Sequence, residues 1–277
     1  MKIAVYSRNE AVKEEPRLKA MLSWLQDAGF SFYDISSSED LVPGTGLLMS
    51  IGGDGTFLSA SKRVGDSGIP VLGINLGRLG FLSEYSPEEA CEALLSGAYS
   101  FEDRELLETR IDGEVLGSGS AFSPYTLNEI CVHRSGAALL GIDVALDGNK
   151  LPTYWADGLL VATSSGSTAY SLSVGGPICS PDSKVLIIAP VAPHNLNVRP
   201  LVVPDSTRIS ISMRSRDESV MMSMDNRSVV LSPEATLDVR VAQFSLKRVR
   251  LDNSGFIKAL TTKLFWGEDI RNGGEQR

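Results

Sequence analysis

Histidine and cysteine are scarce in this 277-residue chain, which has only His133, His194, Cys91, Cys131 and Cys179. Three scattered thiols make no paired disulfide framework and match no zinc-ligand spacing, so reduced thiols in a cytoplasm are expected. With two histidines and no G-x-S-x-G turn, serine or cysteine hydrolase chemistry has little to stand on. No G-x-x-x-x-G-K-[ST] loop occurs and no G-x-G-x-x-G follows a strand, which argues against a Walker-type nucleotide binder and a Rossmann dehydrogenase. Ser59-Ala60-Ser61-Lys62 matches S-x-x-K, but no S-D-N or K-T-G follows, and both residues fit one amphipathic helix. Positive charge is short as well. The 26 Lys and Arg against 34 Asp and Glu leave a net charge of −8, which argues against a nucleic-acid partner needing a basic face. No apolar run approaches the ~20 residues that cross a bilayer. The opening Met-Lys-Ile-Ala-Val-Tyr has no signal-peptide pattern, so no membrane association and a cytoplasmic location are expected.

What is present reads as two kinds of pattern. The first hundred residues alternate short apolar runs with helical spacing: Ile3–Tyr6, then Leu18, Met21, Leu22 and Leu25 before Gly29. Leu47–Ile51 follows, then a helix from about Thr56 to Val64, and Pro70–Ile74. Ser86-Pro87-Glu88-Glu89 is a capping box opening a helix to about Leu95. Such alternation predicts a parallel sheet with flanking helices on both faces. After about residue 103 the period becomes two, as in Ile142, Val144 and Leu146, in Ile209, Ile211 and Met213, and in Leu237, Val239 and Val241. Thr109–Ile111 and Glu114–Leu116 around Asp112-Gly113 read as a type I′ hairpin. A last helix is expected from about Gly255 to Trp266, with Phe256, Leu260 and Leu264 on one face and Asn253 or Ser254 at its cap. The tail Asn272–Arg277 is expected to fray. The fold class is therefore an α/β N-terminal domain with a mainly antiparallel β C-terminal domain, divided as residues 1–102 and 103–250, with a returning segment 251–277.

Two segments carry chemistry. Ile51-Gly52-Gly53-Asp54-Gly55-Thr56 sets one carboxylate among three glycines where a buried strand ends. Glycine lets backbone approach a ligand, amides at a helix start suit a phosphate, and Asp54 can accept a proton or hold a metal ion. In Asp157–Pro177 a buried strand runs into a loop dense in Ser and Thr that opens a helix, with Tyr170 offering a ring for a base or nicotinamide.

Together these segments resemble the NAD kinase family. Gly52-Gly53-Asp54-Gly55-Thr56 is similar to its first signature and Asn75-Leu76-Gly77-Arg78-Leu79-Gly80-Phe81-Leu82 to its second. Asn128-Glu129 is similar to its third signature and Asp157 through Pro177 to its fourth, while His194 and Arg199–Val203 are similar to a later segment. The matches keep family order from about residue 47 to 203. The first signature is shared with diacylglycerol, sphingosine and 6-phosphofructo kinases; the fourth is much more specific.

The resemblance implies transfer of the γ-phosphoryl of ATP to the 2′-hydroxyl of the adenosine ribose of NAD, with a divalent cation, Mg²⁺ or Mn²⁺. It implies a two-domain fold with the site in the crevice, and a homodimer or homotetramer. By motif, Asp54 takes the hydroxyl proton or holds the metal, in a loop with Gly52, Gly53 and Thr56, and Gly55 touches the dinucleotide. Asn128 and Glu129 bind ribose or nicotinamide-side hydroxyls, and Asp157 accepts hydrogen bonds from the dinucleotide. Thr168, Ala169, Tyr170 and Ser173 line the adenine and nicotinamide pockets, with Phe81 and Ala192 as wall residues and Arg134 and Arg199 for the triphosphate. Two positions depart from the pattern. Ser164 stands where many members have Pro, and Trp155 stands where many bacterial members have Arg, so an aromatic there stacks or excludes water instead. Asp54→Asn is expected to keep shape and dinucleotide binding while removing turnover. Two other classes share parts of the pattern: a lipid or sugar kinase with the Gly-Gly-Asp-Gly loop alone, and a non-catalytic NAD(P) sensor.

Overall fold

β1 (Lys2–Ser7) opens the first sheet, and α1 (Pro16–Asp27) buries Leu18, Met21 and Leu25 and stops before Gly29 at φ 88°. β2 (Ser31–Asp34), β3 (Thr45–Ile51), α2 (Asp54–Val64), β4 (Val71–Ile74), α3 (Pro87–Ser96) and β5 (Tyr99–Arg104) follow. The computed structural model describes residues 1–77, 80–118, 122–252 and 255–267. The capping box of α3 forms as read: Ser86 Oγ accepts from the Glu89 N–H, and the Glu89 carboxylate accepts from the Ser86 N–H.

The chain then builds fourteen strands among the described residues: β6 (Leu107–Asp112), β7 (Val115–Ser118), β8 (Tyr125–Thr126), β9 (Glu129–Arg134) and β10 (Leu140–Leu146), then β11 (Asn149–Lys150), β12 (Tyr154–Ala156) and β13 (Gly158–Thr163). The four-residue α4 (Tyr170–Ser173) precedes β14 (Val185–Val191), β15 (Leu201–Pro204), β16 (Ile209–Arg214), β17 (Val220–Met224), β18 (Arg227–Leu231) and β19 (Thr236–Val241). Finally β20 (Leu246–Leu251) and α5 (Phe256–Leu264) follow.

Contacts divide the chain into a first unit, Met1–Asp103 with the segment from Lys247, and a second unit, Arg104–Leu246. The first unit's sheet has the order β2-β1-β3-β4-β20-β5, with β1–β2, β1–β3, β3–β4 and β4–β20 parallel. Ile3, Val5, Met49, Ile51, Leu72 and Ile74 form one core with Leu18, Met21 and Leu25 of α1 and Ala90, Cys91 and Leu94 of α3. Gly73 alternates to the other face, where a Cβ would lie 3.0 Å from Phe57 Cδ2 of α2. Helices therefore cover both faces.

The second unit pairs two antiparallel sheets over one core. One has the order β11-β10-β16-β19-β6-β8, the other β15-β14-β13-β9-β17-β18-β7. Ile142, Ile211 and Val239 of the first sheet pack against Ile130, Val161 and Ile188 of the second. The continuous apolar run of β13 is explained by burial on both faces. Leu159 and Val161 join that core, while Leu160 and Ala162 pack with Tyr170 and Val174 outside.

Five expectations change. Asp112-Gly113 does not close a hairpin, because β6 belongs to one sheet and β7 to the other. Only Gly113 takes positive φ, at 125°, and a Cβ there would meet the Ala235 backbone at 2.8 Å, so the dipeptide turns a sandwich corner. Asp147-Gly148 does form the two-residue turn, both residues at positive φ, joining Leu146 to Asn149. Helix α2 begins at Asp54 rather than Thr56, with Gly53 as its N-cap. The return to the first sheet comes with β20, so residues 247–250 belong to the first unit instead of the β-rich one, as does Asp103 at the other boundary. The helix after the Ser/Thr loop is one turn, preceded by the 3₁₀ turn Ser165–Thr168, and α5 ends at Leu264. Arg78, Leu79, Asn253, Ser254 and the tail 272–277 lie outside the described residues.

Candidate active site

The Gly-Gly-Asp-Gly loop leaves the carboxyl end of β3, beside β1, where the strand order reverses; open α/β sheets bind ligands at such points. Gly52 has φ 143°, and a Cβ on it would lie 2.5 Å from Thr56 Oγ1, so the turn into α2 needs glycine. Asp54 is thereby the first helical residue, where a carboxylate gains from the helix dipole. Gly53 is exposed and Gly55 half-buried, so backbone is accessible on either side of it.

The Asp54 carboxylate is held by the residues that follow β4. Oδ2 accepts the Phe81 N–H at 2.9 Å, and Oδ1 accepts the Leu82 and Ser83 N–H groups at 3.0 and 2.9 Å. A carboxylate offers about four lone-pair directions. Oδ1 is filled, and one direction on Oδ2 stays open. Gly80 makes the approach possible, since a Cβ on it would overlap the Asp54 carboxylate. Asn75 closes the same loop, accepting the Gly77 N–H at 2.9 Å and donating to the Ser83 carbonyl at 3.4 Å. Phe81, expected as a wall residue, is half-buried, its ring 5.1 Å from Lys263 Nζ.

In the second unit the predicted residues lie along β9 and β13. The register pairs Glu129 with Ala162 and His133 with Gly158, so Asn128-Glu129 and Asp157 mark opposite ends of this strand pair, about 15 Å apart at ~3.3 Å per residue. Tyr170 spans the distance: its N–H serves the Glu129 carboxylate, and its ring stacks on His133 at 5.9 Å between centroids, 25° between planes. Glu129 is 9% exposed, and its Oε2 has no hydrogen-bond partner among the described residues. Burial first, and then the neighbouring Asp225, push its carboxyl up to about 8 against the opposing Tyr170 N–H. Burial likewise lowers the His133 imidazole below its usual value.

Asp157 pairs with Arg134 Nε at 2.7 Å, both partly exposed, so the pair contributes little stability. Arg134, expected for triphosphate, is thus engaged, and Arg199 folds back onto the Leu196 and Val198 carbonyls. Trp155 is exposed, lies against Gly141 and has Arg214 5.9 Å from its ring. Ala192 sits at φ 45° just past β14, and the His194 N–H donates to the Trp155 carbonyl at 2.8 Å. Thr168 and Ala169 lead into α4, and Ser173 ends it, exposed.

Sequence reasoning missed Asp225. Its half-buried carboxylate accepts the Leu127 N–H at 2.9 Å and the Asn128 N–H at 2.8 Å, which fixes the segment carrying Glu129. The signal was Asp225-Asn226 between two alternating runs, the turn of the β17–β18 pair. Also missed were Thr163, whose hydroxyl donates to the Leu127 carbonyl at 2.7 Å, and the cations Arg248 and Lys263. No group of three or more His, Cys, Asp or Glu among the described residues is placed to hold a metal ion alone.

The Glu129 environment has a pH consequence. The unfolded chain ionises this carboxyl near 4.5, whereas the folded protein keeps its proton to about 8. Stability is expected to fall as pH rises through that window, by about 5 kcal/mol at most, and Glu129→Gln removes this pH dependence. Urea unfolding at pH 5 and pH 8 checks it: a wild-type-minus-variant difference that does not change between the two sinks the assignment.

The sequence matches the ATP-NAD kinase N-terminal domain over residues 42–97 and the ATP-NAD kinase C-terminal domain over residues 127–251. It is 46% identical to an NAD kinase of Bacteroides fragilis over 81% of this chain and 78% of that one. It is 38% identical to an NAD kinase of Flavobacterium psychrophilum over 95% and 90% of the two chains. Among solved structures, yeast NADH kinase complexed with NADH superposes with TM-score 0.82 at 24% identity, over 97% of this chain and 89% of that one. An Archaeoglobus fulgidus NAD kinase in complex with ATP gives 0.74 at 24% identity, over 91% and 94%. With both domain descriptions matched in order, and relatives of 38% and 46% identity along at least four-fifths of its length, the chain belongs to the NAD kinase family.

Proposed function

We propose that this chain transfers the γ-phosphoryl group of ATP to the 2′-hydroxyl of the adenosine ribose of NAD, giving NADP and ADP. The carrying observation is the Asp54 carboxylate, oriented by three amides with one direction open on Oδ2. That oxygen receives the hydroxyl proton as the new O–P bond forms and the bond between the β- and γ-phosphates breaks. Phosphoryl transfer asks the protein for position and charge stabilisation more than covalent chemistry, so one aligned acceptor beside accessible glycine amides is a sufficient set.

Dinucleotide recognition is assigned to the second unit. The unpartnered, buried Glu129 Oε2 is the polar atom a ribose hydroxyl would satisfy, accepting the hydrogen bond of the protonated carboxyl. Asn128 supports it, Asp157 accepts a further hydrogen bond, and Tyr170 with Thr168 and Ala169 presents the stacking surface. Ser173, Ala192 and Trp155 are exposed rim candidates.

A divalent cation, Mg²⁺ or Mn²⁺, fits these donors as an ion carried by the triphosphate, since Mg²⁺ is commonly held by substrate phosphates, waters and one or two carboxylates. Asp54 Oδ2 has one open direction, which either takes the hydroxyl proton or would hold this ion, and when bound the ion supplies charge neutralisation on the phosphate oxygens. Assembly as a homodimer or homotetramer is supported by exposed apolar residues on the two edge strands of one sheet, Val115 and Leu116 on β7, Leu201 and Val202 on β15.

The test incubates the protein with NAD, ATP and Mg²⁺ and couples product to an NADP-specific dehydrogenase. NADP is expected. NAD binding without turnover would replace the proposal with a dinucleotide sensor, and turnover only on a lipid or hexose phosphate would replace it with another Gly-Gly-Asp-Gly kinase.

A further inference from the structure

The loop that supplies three amides to Asp54 is gripped by two cations of the returning segment. Lys263 Nζ, near the end of α5, donates to the Gly80 carbonyl and lies 3.4 Å from Glu84 Oε2. Arg248 Nε on β20 donates to the Leu82 carbonyl at 3.3 Å, and the guanidinium pairs with Glu84 and, at 2.5 Å, with Glu102. Both side chains are buried, 3% exposed for Arg248 and 11% for Lys263.

The pairing follows the peptide planes. The Gly80 carbonyl and Phe81 N–H belong to one peptide unit, as do the Leu82 carbonyl and Ser83 N–H. In a trans peptide these two groups point in opposite directions. Each unit therefore has a cation on its oxygen and Asp54 on its N–H: Lys263 to Gly80–Phe81 to Oδ2, and Arg248 to Leu82–Ser83 to Oδ1. Polarising the oxygen strengthens donation from the nitrogen, and fixing the oxygen fixes the plane. Burying a lysine is costly, and here burial lowers its pKa against the pull of Glu84 and Asp54. Holding α5 in place does not require a cation, since the helix already buries Ala259 and Leu260.

We propose that Lys263 is a positioning residue for phosphoryl transfer: it sets the Gly80–Phe81 peptide so that the Phe81 N–H holds Asp54 Oδ2, the oxygen with the open direction. This rests on the assignment of Asp54 as proton acceptor. Arg248 does the same for Oδ1, but it is too deeply buried among carboxylates to be removed cleanly.

The test uses the full chain with Lys263→Met, which keeps length and volume, and Lys263→Arg, which keeps a charged donor. In Lys263→Met, kcat is expected to fall about 10- to 100-fold with KM for NAD and ATP within about threefold. Amide exchange at Phe81 is expected to rise at least about tenfold, with a smaller change at Ser83, whose peptide Arg248 holds. Lys263→Arg should restore most of both. An unchanged kcat, unchanged exchange at Phe81, or a loss confined to KM overturns the inference. If Lys263→Met does not fold, Lys263→Gln, which retains a donor for Gly80 without the charge, is judged by the same signs with smaller changes. Asp54→Asn measured alongside separates the two ideas. Full turnover in Asp54→Asn sinks the assignment of Asp54 and leaves Lys263 a tether, whereas loss there with none in Lys263→Met sinks the role of Lys263 alone.

Discussion

Asp54→Asn is expected to lower kcat about 10²- to 10⁴-fold in the coupled assay, the range for removing a general base. NAD binding by calorimetry should persist. The fold around residue 54 should not be untouched, contrary to the simple expectation from size. The carboxylate accepts three N–H groups. An asparagine oxygen can serve Leu82 and Ser83, but its NH₂ then faces the Phe81 N–H, and the flipped amide faces the other two. A donor meets a donor in either orientation, at a cost of about 1–3 kcal/mol. The melting temperature should drop by several degrees along with the turnover. Turnover surviving within a few-fold would show that Asp54 is not the acceptor.

Gly80→Ala should be nearly as damaging although it removes no functional group. A Cβ at this position would overlap the Asp54 carboxylate, so the side chain must leave the amides or the loop must retreat. Either movement displaces Oδ2, and a misplacement of about 1 Å is enough for a ~10²-fold loss in kcat. Crowding of this kind also costs about 1–3 kcal/mol of stability. Steady-state kinetics with thermal melting decides the matter: a stable variant with wild-type kcat would mean that the amide cradle opens before the chemical step and does not position Asp54.

The elements were legible where the signal is local. The apolar spacing of α1, the alternation in β10, β16 and β19 and the Ser86–Glu89 capping box all formed as read. Asp-Gly was the instructive failure. At Asp147-Gly148 both residues take positive φ and close a hairpin, whereas Asp112-Gly113 carries the chain from one sheet to the other. The dipeptide permits the turn, but strand pairing elsewhere decides whether it is made. In β13 the sequence could not say what covers the second face, because a continuous apolar run reads alike for a strand buried by a sheet or by a loop.

The sequence by itself determined the order of strands and helices, the change from α/β to β-rich architecture, and the placement of Asp54, Glu129, Asp157 and Tyr170 in their segments. These follow from side-chain periodicity, turn chemistry and motif, which act over a few residues. Only the tertiary structure decided which groups those side chains meet. The amides on Asp54 come from 27 to 29 residues later, the carboxylate under Asn128 from 97 residues later, and the ammonium on Gly80 from 183 residues later. A buried polar group must find a partner, but packing among distant segments chooses which one, and no local pattern encodes that choice.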